Sequence, residues 1–84
     1  MRRLMAANWK MYKTSEEAAA TIEHLSKLLG GSAPAGSEIL VFAPFTALEA
    51  AAAAMRSLQG GYIGAQNMYP AENGAFTGEI SPDM

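Results

Sequence analysis

The chain has 84 residues, 50% of them apolar, with six basic and eight acidic side chains and a formal net charge of -2 at pH 7. That length allows at most one small domain, and the apolar share is too high for a disordered chain. The absence of cysteine excludes a disulfide framework and thiolate metal sites, and the scattered basic residues leave no footprint for nucleic acid.

Behind Arg2 and Arg3, the apolar run from Leu4 to Ala7 stops at Asn8. A secretory signal needs roughly 7–15 apolar residues and a membrane span about 20, so no membrane partner is expected. The run reads instead as a strand near 3–8, buried on both faces. Thr14 and Ser15 then precede Glu16 and Glu17, a hydroxyl cap followed by acidic residues that suit the positive end of a helix dipole. Ala18, Ile22, Leu25 and Leu29 recur at steps of four, three and four, which lays one apolar stripe along a helix near 15–29. Gly30-Gly31 stops it.

The segment from Gly30 to Gly36 is glycine-rich but follows a helix and precedes a strand. A phosphate-cradling loop needs the opposite order, so a nucleotide-binding reading is excluded. Ile39-Leu40-Val41-Phe42 is the clearest strand, near 39–42, again continuous rather than alternating. Pro44 ends it, and Thr46-Ala47-Leu48-Glu49 matches a capping box. Leu48, Ala52, Met55 and Leu58 or Gln59 then mark the expected inner face of a helix near 46–59. Gly60-Gly61 ends that helix, a third strand follows near 62–66, and residues 67–84 lack periodicity.

The order is strand, helix, strand, helix, strand, long loop. Strands joined through helices are parallel with right-handed crossovers, so the fold class is α/β, a βαβαβ unit. Functional groups of parallel α/β folds gather at the carboxyl ends of the strands. There stands Asn8-Trp9-Lys10-Met11. Lys10 offers a positive charge to an anionic substrate or developing oxyanion. Asn8, two residues earlier, lies on the same face if the chain stays extended, and can bond to substrate or orient the lysine. Spacing alone favours a solvated surface lysine beside a turn-forming asparagine. His24, the one histidine, falls inside the first helix just off the stripe and reads as a partly exposed helix residue.

Four segments carry a family resemblance: Asn8-Trp9-Lys10-Met11, Ala43-Pro44-Phe45-Thr46-Ala47-Leu48, Gly64-Ala65-Gln66-Asn67, and Gly74 through Ser81. In this order and spacing they resemble the triosephosphate isomerase family over essentially the whole chain. The resemblance implies that residues 1–84 are the N-terminal part of a TIM (β/α)8 barrel, its first three strands, with Leu4, Leu40 and Ile63 pointing inward. It implies a catalytic role for Lys10, which would bind the triose phosphate and stabilise an enediolate, with Asn8 as a substrate-binding neighbour. The implied reaction interconverts dihydroxyacetone phosphate and glyceraldehyde 3-phosphate by proton transfer, in glycolysis and gluconeogenesis, in the cytoplasm, with no cofactor and no metal.

The resemblance also implies a homodimer. The third loop would dock beside a second subunit's motif residues, placing Met11, Phe76, Thr77, Gly78 and Glu79 in the interface. The family's general base, catalytic histidine and phosphate loops belong to later strands, and no residue in these 84 matches them. The expectation is a truncated chain, inactive alone; the alternative is a non-catalytic fragment that self-associates or complements the rest of a barrel. Tyr12-Lys13-Thr14 departs from the family's Asn-Gly-type continuation after the motif.

Overall fold

The structure is a computed structural model that describes residues 2–84. Three strands form one parallel sheet in the order β1-β2-β3: β1 Arg3–Asn8, β2 Ser37–Ala43 and β3 Gly61–Ala65. Helix α1, Ser15–Leu28, joins the first pair, and α2, Leu48–Met55, joins the second. This is the βαβαβ arrangement expected from the sequence, consistent with the start of a TIM barrel, and the sheet is open.

Local chemistry sets the helix ends. Thr14 Oγ1 accepts from the Glu17 amide at 3.2 Å, and Glu17 Oε1 accepts from the Thr14 amide at 2.9 Å. These two bonds make a reciprocal capping box that satisfies two donors an isolated helix start would leave orphaned. At the other end the Gly31 amide reaches Ser26 O (2.8 Å) and the Gly30 amide reaches Lys27 O (3.2 Å). That pair of bonds is a Schellman closure, and it requires the left-handed φ of +67° that Gly30 takes without a Cβ penalty.

The register sorts side chains between two faces. Met5, Ile39 and Gly61 align, as do Ala7, Val41 and Ile63, and both helices cover this side. The core lies there: Ala18 and Ile22 of α1, Ile39, Val41 and Ala43 of β2, then Ala47, Ala51, Met55 and Leu58. The other face carries Leu4, Ala6, Asn8, Leu40, Phe42 and Tyr62, and its large side chains are poorly covered; Leu4 is 61% and Tyr62 53% exposed.

Four local expectations are corrected. Ile63 pairs with Val41 and packs against the helix-side core, so Tyr62, not Ile63, joins Leu40 on the inner face. Both residues are apolar, and a strand's faces swap with a one-residue shift in register. The Thr46–Glu49 capping box does not form. Residues Phe45–Ala47 make a 3-10 turn, closed by the Ala47 amide on Pro44 O at 2.9 Å, and α2 starts behind Ala47 with no side-chain cap. A capping side chain needs an extended backbone at its own position, and Thr46 sits within the turn.

The inner face of α2 is Ala51 and Met55, continued by buried Ala47 before the helix and Leu58 after it, and Ala52 is exposed. A run of alanines has no amphipathic phase of its own, so the bulky Met55 and Leu58 set it. α2 itself ends at Met55; the turns beyond it close with three-residue bonds such as the Leu58 amide on Met55 O (3.0 Å). Buried Ser26 was no part of the expected stripe. Its hydroxyl donates to Ser57 O at 2.8 Å, tying α1 to a carbonyl left over beyond α2.

Residues beyond β3 fold on themselves. The Tyr69 amide donates to Ile80 O at 2.7 Å, drawing the ends of a loop together, and the Tyr69 and Phe76 rings meet with centroids 4.4 Å apart. Gly74 has φ +150°, and a Cβ there would lie 2.6 Å from the Phe76 ring. Glycine is what lets the backbone pass under that ring. Among the described residues no helix is long and apolar enough to cross a membrane.

Candidate active site

β1 ends at Asn8, and the chain turns sharply. The Trp9 amide still reaches Phe42 O of β2 at 3.0 Å, but Lys10 takes φ +53° and Lys13 φ +80°. Side chains with a Cβ rarely adopt that region, at a cost of about 1–2 kcal/mol each. The expected shared face of an extended Asn8–Lys10 segment is therefore not what the structure contains. Asn8 Oδ1 instead accepts a 2.8 Å hydrogen bond from the Lys10 amide, the short-range turn to which asparagine is suited.

The third strand completes the arrangement. Gln66 Nε2 donates to Lys10 O at 2.8 Å and to Phe42 O at 3.1 Å. One carboxamide thus bonds the turn after β1 and the end of β2 from just beyond β3. Lys10, Met11, Pro44, Phe45, Gln66 and Asn67 line an open cavity of about 260 Å³ at the carboxyl end of the sheet. Lys10 makes no ion pair among the described residues, where the one pair is Arg2 with Glu38 at 3.4 Å.

Around this turn, Lys13 Nζ lies 5.8 Å from the Trp9 ring centroid, within cation–π range. The Thr14 amide donates to the Glu17 carboxylate and, with the Thr14 side chain nearby, lowers its pKa from the ordinary glutamate value. Asn8 and Lys10 are therefore brought together. Met11, 95% exposed, borders the same cavity. Phe76, Thr77, Gly78 and Glu79 are exposed on the third loop and share neither a cavity nor a hydrogen bond with Lys10.

A larger cleft of about 590 Å³ lies elsewhere, on the helix side of β1, where Met5, Trp9, Leu25 and Leu28 leave an apolar wall. Exposed His24 stands at that cleft and not beside Lys10. The cleft is almost wholly apolar and has no lysine or arginine to orient an anion, so size does not make it the chemical site. Among the described residues no cluster of three or more His, Cys, Asp or Glu could hold a metal ion. Gln66 was read from the sequence only as the end of a strand. Its clue was a long amide, able to donate twice, placed at the carboxyl end of a parallel strand.

The family model described as triosephosphate isomerase matches residues 3–84. The chain belongs to the triosephosphate isomerase family. A triosephosphate isomerase of Oleidesulfovibrio alaskensis is 56% identical over 84 residues, which is all of this chain and 33% of that protein. Those of Nitratidesulfovibrio vulgaris and Chloroflexus aurantiacus are 52% and 49% identical, over 100% and 96% of this chain and 34% and 31% of theirs. The chain spans about a third of the length of these curated relatives. Within the triosephosphate isomerase fold, these residues carry the lysine at the end of the first strand and the next two strands of the sheet.

Proposed function

We propose that this chain supplies the lysine end of a triosephosphate isomerase site and is inactive on its own. The observation that carries the reading is Lys10, unpaired by any carboxylate, its backbone fixed by Asn8 and Gln66 at the edge of an open cavity at the carboxyl end of the sheet. An ammonium held there attracts a triose phosphate. It also stabilises the negative oxygen that develops as a proton leaves the carbon beside a carbonyl, from a backbone position fixed before the reaction begins. Asn8 spends its Oδ1 on the Lys10 amide, which leaves its Nδ2 free to donate to a substrate oxygen.

The proton transfer itself needs a carboxylate base and a histidine electrophile. The one histidine, His24, is exposed on α1, away from the cavity, and no carboxylate lines that cavity. On this reading residues 1–84 are part of one TIM-barrel domain, which works in cytoplasmic glycolysis and gluconeogenesis as a homodimer. Met11, Phe76, Thr77, Gly78 and Glu79 lie in its interface. A second reading, a non-catalytic fragment that complements or self-associates, is favoured by the bare inner face around Leu4 and Tyr62. Strand edges left open on both sides of the sheet favour it as well.

The test is a graft. Residues 1–84 replace the matching first third of the O. alaskensis relative, and the graft and the isolated chain are assayed for isomerisation of glyceraldehyde 3-phosphate. Turnover by the graft and none by the chain supports the proposal. A folded but inactive graft, or turnover by a chain of verified mass, refutes it.

A further inference from the structure

A left-handed backbone at a lysine persists only where surrounding groups over-determine it. At Lys10 (φ +53°) both peptide groups are held, but by different parts of the chain. Its N–H is held locally by Asn8 Oδ1, at 2.8 Å, and its C=O is held by Gln66 Nε2, 56 positions along the chain, also at 2.8 Å. The Gln66 amide nitrogen has two hydrogens and two acceptors, the second being Phe42 O at 3.1 Å. Phe42 O in turn accepts the Trp9 amide at 3.0 Å, one residue before Lys10. Both contacts of Gln66 are to carbonyls, so the donor end of its amide must face the turn.

We infer that Gln66 is a positioning residue for the lysine site, acting through Lys10 by clamping its carbonyl from the third strand. It makes the geometry of a residue in the first loop conditional on β1, β2 and β3 being assembled together. The side chain belongs to the same cavity, yet its donors point at backbone, which separates it from a group that handles substrate. The kinetic part of this inference rests on the proposed role of Lys10; the geometric part does not.

Gln66→Met keeps the length of the side chain and removes both donors. In the 84-residue chain, the amide-to-Hα coupling and shifts of Lys10 in NMR spectra report its backbone conformation. The clamp predicts that Gln66→Met averages the left-handed signature away while the amides of Ile39, Val41 and Glu17 stay in place. An unchanged Lys10 signature overturns the inference, and so does a loss of order spread evenly over all these amides.

In the graft, loss of one hydrogen bond to the lysine turn predicts a fall in kcat of about tenfold, with KM changed less than about threefold. In a Lys10→Met background the same substitution is then expected to alter the residual kcat less than about twofold. A merely structural role would depress both backgrounds alike and overturn the assignment. If Lys10→Met itself leaves kcat unchanged, the functional reading fails, and the NMR result decides the clamp separately.

Discussion

Ile22→Ala is the sharpest test of where the core lies. Ile22 has no exposed surface and is the largest fully buried side chain, at the junction of α1 with β2 and α2. Alanine removes three carbons, worth about 2.4 kcal/mol of transfer at roughly 0.8 kcal/mol per buried methylene. The residual cavity raises the total to about 2.5–5 kcal/mol, depending on how far the helix can settle. A domain of this length has about 4–13 kcal/mol of stability in all. With one sheet face uncovered this one belongs near the lower end, so the substitution should unfold a large part of the population. Urea denaturation followed by far-ultraviolet circular dichroism would show the midpoint fall steeply at unchanged slope. A loss below about 1 kcal/mol would refute the packing described for α1.

Other outcomes follow from the turn and the caps. Asn8→Ala removes the acceptor for the Lys10 amide and should cost about 0.5–1.5 kcal/mol, whereas Asn8→Asp retains an acceptor and should keep the Lys10 backbone signature in NMR spectra. Equal disruption by both variants would contradict the role given to Oδ1. Glu17 has a lowered folded pKa, chiefly from the Thr14 backbone bond, so its contribution is full above the ordinary value of 4.5 and is lost as pH falls through the lowered folded value. The stability gap between the protein and Glu17→Gln should therefore close in acid; a gap that widens there would reverse the sign. Ser26→Ala should destabilise by about 1–3 kcal/mol, by leaving Ser57 O unpaired at the helix contact, and a neutral urea midpoint would argue against that bond.

Much of the architecture is readable in one dimension because parallel strands write continuous apolar runs, although here only the helix-side face of β2 is buried and β1, expected to be buried on both faces, is exposed along its length. Ile39 to Phe42 is the clearest case, and the stripe from Ala18 to Leu29 did the same for α1 at a period near 3.6. Where the residues are degenerate, the pattern is silent. The alanines from 50 to 54 fit any helical phase, and Tyr62 and Ile63 fit either face of β3, so both were settled by neighbours distant in sequence.

The site divides along the same line. Lys10 and Asn8 stand out locally, since a charge at the end of an apolar strand is conspicuous. Their actual geometry is a left-handed turn closed by Asn8 and held by Gln66, and a hydrogen bond spanning 56 positions leaves no periodic trace. Pro44 illustrates a local rule overridden: the Thr46–Glu49 spacing was right for a cap, but the backbone after the proline enters a 3-10 turn instead.

The central claim is that Lys10 acts on a developing negative charge. Its most direct test is the kcat of the graft carrying Lys10→Met, compared with the unsubstituted graft at matched folding by circular dichroism. Removing a preorganised electrostatic group predicts a fall of about 10²–10³-fold. A fall of less than about threefold, in a folded graft that still turns over, would contradict it.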